Sequence, residues 1–262
     1  SMVDWYLGTI GFSYKDWAGV FYPAGLPAKS FLAHYSQIFN AVELDSTFYG
    51  TPPVERVQQW ATATPETFKF CVKTPREITH DLRLVGAQAA MIKFLDTMRL
   101  FGPKLGAVLI QLPPSFTDAE VDTLNTFLAE LPSDLRYAVE FRHESWYTPA
   151  TTALLQTYRI GWVAIDYVGL PKRIETTADF LYLRWLGQHG RFAGHAEERL
   201  DVTPQLQWWW EQLQPYLDQV QTIYGFFNND YAGHSPSTCN RFKVIAGLPS
   251  ERPELPQQDS LF

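Results

Sequence analysis

Five segments of the chain begin with apolar residues and end on charged or amide residues. They are 41–49, 137–142, 161–166, 180–185 and 222–230. We interpret each as a strand whose carboxyl end is polar. An eight-stranded parallel barrel brings the carboxyl ends of its strands to a single rim, where catalytic groups lie. The recurrence therefore predicts an α/β fold, a single (β/α)8 barrel of the TIM type.

The segment 41–49 indicates how such a strand would place its acids. Side chains alternate across a strand, so Glu43, Asp45 and Thr47 would share one face. An ordinary half-buried strand with its acids in water shows the same alternation, and this segment alone favours that simpler interpretation. Because the pattern recurs, we expect Glu43 and Asp45 to face the barrel interior near Glu140 and Arg142.

Length and composition agree with one barrel. The chain has 262 residues, 46% of them hydrophobic, and a barrel of this type takes about 250. No apolar run is long enough to span a bilayer and no signal sequence is visible, so we expect a cytoplasmic protein without a membrane partner. Two cysteines, Cys71 and Cys239, are typical of a reduced protein. The net charge of -7 disfavours a broad basic surface for nucleic acid but leaves room for a local cationic pocket.

Strand and helix patterns alternate along residues 3–248, and eight strands can be assigned. Within 166–180, Gly169 and Pro171 leave too little chain for a full helix, so we expect the sixth crossover helix to be degenerate. The proline-rich segment 249–262 has no periodicity. It is predicted to be a flexible tail separate from the barrel domain.

Several motifs carry a resemblance to a known family. They are GTIGFSY at 8–14, VELDSTFY at 42–49, LIQLP at 109–113, EFR at 140–142 with SW at 145–146, and FNND at 227–230. In this order they resemble the YecE-like family, the domain-of-unknown-function family numbered seventy-two, over nearly the whole chain. The resemblance implies a barrel with a polar cavity at the carboxyl ends of its strands. It implies no reaction.

The predicted site gathers many ionisable side chains at the barrel rim. Glu43 and Glu140 are predicted to act as acid and base, with Asp45 and Asp166 as further catalytic candidates. The predicted ligand-binding residues are Tyr14, Trp17, Thr47, Tyr49, Lys73, Gln111, Arg142, Trp146, Arg184, His189, Asn228, Asn229 and Asp230. Burying so many charges without partners would be prohibitive, so they must pair with one another or meet a ligand. The alternative is a paired salt-bridge network that closes the top of the barrel, but the aromatic residues of the set favour a ligand that contains a ring.

Metal and cofactor sites are not favoured. The six histidines form no HxH or HxxxH pair, and no P-loop, GxSxG or GxGxxG motif is present. Carboxylates such as Glu43 and Glu140 could hold Mg²⁺ or Mn²⁺, but the cations in the same mouth would compete with the ion. Lys73 could form a Schiff base, although contact with a phosphate or carboxylate is the simpler role.

These residues predict a protein that binds a small anionic ligand containing a ring, such as a sugar phosphate or a nucleotide-like molecule. Hydrolysis or isomerisation by carboxylate acid/base chemistry is the reaction that the residues would support. An anion site is expected where Gly233 and His234 lead into the last helix, with Arg184 and Asn228 or Asn229 nearby. The alternative is an ordinary capped helix without a ligand. The alternative function is a nucleic-acid-associated binding protein whose cavity takes an extruded nucleotide or a strand end.

The C-terminal sequence suggests a partner. Residues 257–262 read QQDSLF, and Gln258, Leu261 and Phe262 resemble the short peptide by which bacterial replication and repair proteins dock on the DNA sliding clamp. Two large apolar residues in a polar tail have nothing nearby to bury them. The simpler interpretation is that Leu261 and Phe262 pack on the surface of the barrel itself. Clamp binding would support the nucleic-acid-associated alternative without a basic surface.

Overall fold

The computed structural model describes residues 2–250, and these form a barrel of parallel strands. The strands are β1 (Asp4–Ile10), β2 (Ala41–Leu44), β3 (Lys69–Lys73), β4 (Leu105–Gln111), β5 (Arg136–Glu140), β6 (Gly161–Trp162), β7 (Ala164–Asp166), β8 (Phe180–Trp185) and β9 (Thr222–Phe227). Each pairs in parallel with its neighbours, and β1 pairs with both β2 and β9. The short β6 pairs with β5 whereas β7 pairs with β8, so Val163 divides the sixth strand of the barrel into two parts. The predicted barrel is confirmed, and it is nearly closed.

Helices connect most of the strands and cover the outside of the barrel. They are α1 (Phe31–Ile38), α2 (Val54–Thr62), α3 (Gln88–Met98), α4 (Val121–Ala129), α5 (Pro149–Tyr158), α6 (Thr203–Leu213), α7 (Asn229–Ala232) and α8 (Ser235–Ile245). Residues 167–179, all of which the structure describes, contain no helix between β7 and β8. The predicted degenerate crossover is therefore confirmed. Within residues 2–250 no helix has both the length and the apolar character needed to cross a membrane.

Strand side chains alternate between two apolar layers. One layer fills the barrel and includes Ile10, Ala41, Cys71, Leu109, Ala138, Ile165, Tyr182 and Phe226. The other lies between strands and helices and includes Val42, Leu44, Val72, Ile110, Val139, Leu183, Trp185 and Phe227. The inner layer continues along the same strand faces toward the carboxyl rim, where polar residues replace apolar ones. Strand parity thus places Glu43 and Arg184 inside the barrel, two residues beyond Ala41 and Tyr182.

The second strand is shorter than its sequence suggested. β2 ends at Leu44, and Ser46–Tyr49 forms a 3₁₀ turn that takes the chain away from the barrel. The Thr47 hydroxyl holds this turn by donating to the carbonyl oxygens of Leu44 at 3.0 Å and Lys73 at 2.6 Å. The prediction that 41–49 is one alternating strand is therefore wrong beyond Leu44. Nearly all of the tail predicted over 249–262 lies outside the described residues.

Candidate functional site

A buried ion network lies inside the barrel at the carboxyl ends of the strands. Arg184 on β8 donates from Nε to Glu43 Oε1 and from Nη2 to Glu43 Oε2, at 2.9 Å in both cases. Its Nη1 donates to Oε1 of Glu140, on β5, at 2.8 Å. All three side chains are buried. Glu43 therefore faces the interior near Glu140, as its strand parity requires.

Two further donors complete the bonding of these carboxylates. Tyr182 Oη donates to Glu43 Oε1 at 2.7 Å, and Arg142 Nε donates to Glu140 Oε2 at 2.6 Å. Burial alone would raise the pKa of Glu140, but the charges of Arg184 and Arg142 outweigh it and lower that pKa to about 2. Glu140 is thus ionised at neutral pH and has no proton to donate. The geometry favours mutual pairing of these charges over a catalytic pair made of Glu43 and Glu140.

Arg142 presents unused donors at the edge of this network. Its Nε is bound to Glu140, whereas Nη1 and Nη2 have no protein acceptor among the residues that the structure describes. The guanidinium carbon lies 4.8 Å from the centroid of the Tyr167 ring. The Arg142 side chain is 16% exposed, so its outer edge is accessible. The Glu140 carboxylate and the Tyr167 ring together hold the Arg142 guanidinium group in one orientation.

Lys73, the last residue of β3, supplies a second unused donor. Its Nζ lies 4.2 Å from the centroid of the Phe48 ring. Over residues 2–250 no carboxylate oxygen lies within 4.0 Å of this nitrogen, and no acceptor binds it. Burial, followed by the charge of Arg184, lowers the pKa of Lys73 to about 8. His80 is close enough to both Lys73 and Arg142 for their charges to lower its pKa, after the larger effect of burial.

Asp45 and Tyr14 lie at the same mouth. Asp45 follows β2 directly and is half-buried. Burial and the charge of Glu43 raise the pKa of Asp45, and Lys73 opposes them. Tyr14 Oη donates to the Ile10 carbonyl oxygen at 2.6 Å. Its pKa is raised by burial first and then by three surrounding carboxylates, those of Asp45, Glu43 and Asp230.

A histidine that the sequence did not single out meets one of the predicted residues. His195 Nε2 lies 2.8 Å from Asp230 Oδ1. The backbone N–H of His195 donates to Asp16 Oδ2 at 2.9 Å, which fixes this part of the loop between β8 and α6. Asn228 caps α7 by accepting from the Asp230 N–H at 2.7 Å. Asp230 is therefore held from two sides beside Tyr14.

Asp166 does not join the network, contrary to the prediction. Its Oδ2 accepts from Trp209 Nε1 at 2.9 Å and from Tyr231 Oη at 2.8 Å. Its Oδ1 lies 3.4 Å from Lys172 Nζ. The reason is strand parity: Ile165 points into the barrel, so Asp166 points to the helix layer.

Three of the predicted aromatic ligand contacts have other surroundings. Trp146 is buried between Phe116 and Phe141, and its Nε1 donates to the Phe116 carbonyl oxygen at 2.8 Å. Trp17 is fully buried and packs against other aromatic rings. Tyr49 is 80% exposed at the end of the turn after β2. Both tryptophans belong to the apolar layer that lies between the strands and the helices.

Four further predicted polar residues either bind other protein groups or are exposed. The Thr47 hydroxyl is bound to backbone, as described above, and Gln111 Nε2 donates to the neighbouring Leu112 carbonyl oxygen at 3.3 Å. His189 is exposed on the loop after β8. Asn229 Oδ1 accepts from Ser235 N at 3.0 Å and from Ser235 Oγ at 2.8 Å. The start of α8 is thus capped by protein, and the arginine expected beside it is in the central network.

A cavity of about 550 Å³ adjoins the rim beyond Asp166. Its lining includes Asp166, Tyr167, Lys172, Gln188, Arg191 and Tyr231. Tyr167, one of these lining residues, also contacts the Arg142 guanidinium group. Among residues 2–250 no three histidine, cysteine or acidic side chains are grouped so that they could hold a metal ion.

Sequence comparisons connect the chain with proteins of unassigned function. A family model described as "Protein of unknown function DUF72" matches residues 6–260. The UPF0759 protein YecE of Escherichia coli strain K12 is 32% identical over 142 residues, which are 54% of this chain and 50% of that protein. The UPF0759 protein YunF of Bacillus subtilis strain 168 is 31% identical over 158 residues, or 55% of this chain and 52% of that protein. The chain thus spans about half the length of the curated relatives it matches.

Solved structures agree with this relationship. A crystal structure of a DUF72 family protein from Thermotoga maritima superimposes with a TM-score of 0.81 at 32% identity, over 93% of this chain and 99% of that one. A DUF72 family protein from Enterococcus faecalis shares the fold, with a TM-score of 0.76 at 22% identity over 94% and 97% of the two chains. The family match over most of the chain shows that this barrel belongs to the DUF72 family of proteins of unknown function.

Proposed function

We propose that the protein binds a small anionic ligand at the carboxyl rim of the barrel, with Arg142 as the main anion contact. The observation that carries the proposal is the pair of Arg142 Nη groups, which no protein acceptor occupies among the described residues. The Nζ group of Lys73 is a second donor, and it too has no protein acceptor among the described residues. A guanidinium edge binds a carboxylate or a phosphate through two parallel hydrogen bonds.

The ion network explains why this edge would bind well. Glu140 holds Arg142 in place by accepting a hydrogen bond from its Nε at Oε2. Arg184 in turn holds Glu140 by donating to its Oε1. Tyr167 supports the guanidinium plane. A donor that is already oriented loses little conformational freedom when the ligand binds, so more of the interaction energy remains as affinity.

The ligand class is a sugar phosphate or a nucleotide-like molecule. Tyr14, Phe48 and Tyr167 supply ring surfaces at the mouth, in place of the tryptophans that are buried. The adjoining cavity of about 550 Å³ has room for the part of the ligand beyond its anionic group.

If the ligand is turned over by hydrolysis or isomerisation, Lys73 and Asp45 are the better proton-transfer groups. Their pKa values are shifted from opposite sides toward neutrality, Lys73 to about 8 and Asp45 upward by burial and Glu43. Glu43 and Glu140 then serve to hold Arg184 and Arg142. The nucleic-acid alternative stays a prediction. The clamp contact that would support it rests on Gln258, Leu261 and Phe262, which lie outside the described residues.

The test is a binding titration of the full chain with ribose 5-phosphate, AMP and inorganic phosphate, read by calorimetry. Loss of a bidentate contact of about 1.5–3 kcal/mol predicts a roughly 10- to 100-fold weaker Kd for Arg142→Gln. The matched control is Arg173→Gln, whose side chain is 51% exposed and pairs with Glu175. Equal affinity in the two variants, or binding of short oligonucleotides in preference to all three anions, would refute the proposal.

A further inference from the structure

Lys73 differs from the other lysines that approach protein acceptors. Lys69 Nζ donates to the Pro103 carbonyl oxygen, and Lys104 Nζ donates to the carbonyl oxygens of Ala61 and Thr64. Lys172 Nζ lies 3.4 Å from Asp166 Oδ1. Lys73 is half-buried at the mouth of the site. Within residues 2–250 its Nζ has neither a carbonyl acceptor nor a paired carboxylate.

The surroundings of Lys73 suit a reactive amine. Phe48 covers one side of Nζ with an apolar ring. The charged or titratable groups that act on it from the surrounding elements are Arg184, Glu43, Glu140, Asp45 and His80. Since Glu43 and Glu140 are already paired with arginines, they stabilise the ammonium form less than free carboxylates would. An amine that is partly desolvated and beside other cations is the usual form of a lysine nucleophile.

We infer that Lys73 forms an imine with the carbonyl carbon of an anionic aldehyde or ketone whose phosphate or carboxylate lies on Arg142. The inference rests on the proposed function and narrows its ligand class to phosphorylated or carboxylated carbonyl compounds. The neutral amine attacks the carbonyl carbon, a C–N bond forms, and the oxygen takes up a proton. The nitrogen loses a proton to give the carbinolamine, the oxygen takes up a second proton, and the C–O bond breaks so that the oxygen leaves as water. The protonated imine that remains releases its N–H proton to give the neutral imine. No atom is oxidised or reduced in these steps.

Asp45 is placed to carry the protons. It lies directly after β2, close enough to Lys73 for the two charges to affect each other. Burial and Glu43 raise its pKa, which makes this carboxyl a better proton carrier than an exposed aspartate would be. Lys73 has a pKa of about 8, so its neutral form is abundant near that pH. The dependence of the reaction on pH should therefore show a midpoint near 8.

Reductive trapping tests the inference on the full chain. The protein is incubated with dihydroxyacetone phosphate and sodium cyanoborohydride, which reduces any imine to a stable secondary amine, and labelled lysines are identified by peptide mass spectrometry. We expect Lys73 to be labelled at least about tenfold faster than Lys172, an exposed lysine at the adjoining cavity that serves as an internal control. Arg142→Gln should slow labelling of Lys73 by a similar factor, whereas the control Arg173→Gln should not.

Glycerol 3-phosphate, which has the phosphate but no carbonyl, separates this inference from the proposed function. Arg142-dependent binding of glycerol 3-phosphate with no preferential labelling of Lys73 would overturn the imine and leave anion binding intact. Absence of both would overturn both. Preferential labelling that Arg142→Gln leaves unchanged would also overturn the inference, because the anion would then have no part in it. Circular dichroism of each variant establishes that it is folded.

Discussion

Replacing Arg184 with methionine tests whether the central network holds the barrel together. Methionine fills similar space but carries no charge. The substitution removes three hydrogen bonds, two to Glu43 and one to Glu140. Tyr182 would still donate to Glu43 and Arg142 to Glu140. Each buried carboxylate would nevertheless keep an oxygen without a donor.

The expected loss of stability is large. Removing one partner of a buried ion pair costs about 3–5 kcal/mol, because a buried charge is left without compensation. Here two carboxylates lose the same partner, so we expect the upper end, about 5 kcal/mol. For a chain of this size each kcal/mol lowers Tm by about 2–4 °C, which predicts a fall of roughly 10–20 °C.

The assay is urea denaturation followed by circular dichroism at pH 7 and pH 5. Unpaired buried carboxylates have raised pKa values in the folded state, so protonation on acidification relieves part of the cost. The deficit of Arg184→Met should therefore be smaller at pH 5 than at pH 7. Arg99→Met is the control, since its pair with Asp134 is exposed and is expected to contribute at most about 1 kcal/mol. A deficit at pH 7 no larger than that of the control, or equal at both pH values, would refute the role of the network.

Three further outcomes are expected. The pKa of Glu140 falls from its ordinary 4.5 to about 2 on folding, so its ionised form should contribute about 3 kcal/mol of stability above pH 4.5. That contribution should be lost progressively as the pH falls toward 2. The measurement is the acid unfolding of Glu140→Gln compared with that of the parent chain. Gly8→Ala should lower the free energy of unfolding, measured with urea, by at least about 3 kcal/mol, because its Cβ would lie 1.9 Å from the Ala41 carbonyl oxygen. Gly194→Ala should be near neutral, because the nearest atom to its Cβ would be Asp16 Oδ2 at 3.6 Å. If the C-terminal peptide binds the sliding clamp, removal of residues 261–262 should abolish binding in a titration with purified clamp, and equal affinity with and without them would contradict that prediction.

The barrel could be predicted because its signals are local. Alternation of strand and helix, together with polar strand ends, is written in short stretches of the chain. The missing sixth helix followed from Gly169 and Pro171 in a connection that is too short to hold one. Tyr182 could also have been found, because it lies two residues before Arg184 and so shares its face. Nothing local marks His195, which meets Asp230 from a long loop.

The place of Asp166 depended on strand register, which is not a local property. Residues paired across a parallel sheet point to the same side, and Ile165 pairs with Arg184 whereas Asp166 pairs with Trp185. Ile165 therefore faces the interior with the arginine, and Asp166 faces the helices with the tryptophan. A shift of one residue in this pairing would exchange the two side chains. Sequence alone shows an acid at a strand end in either case.

The proposed ligand contacts are the hydrogen-bonding groups that remain free after the charges have paired. Sequence predicts that Glu43, Glu140, Arg142 and Arg184 meet, but it does not say which of their atoms are used. All four carboxylate oxygens have donors, and all three donor nitrogens of Arg184 have acceptors. Among residues 2–250, the two Nη groups of Arg142 and the amine of Lys73 are left without a protein acceptor. The carboxylates that looked catalytic thus orient the free donors, and Arg142 and Lys73 are the residues proposed to contact the ligand.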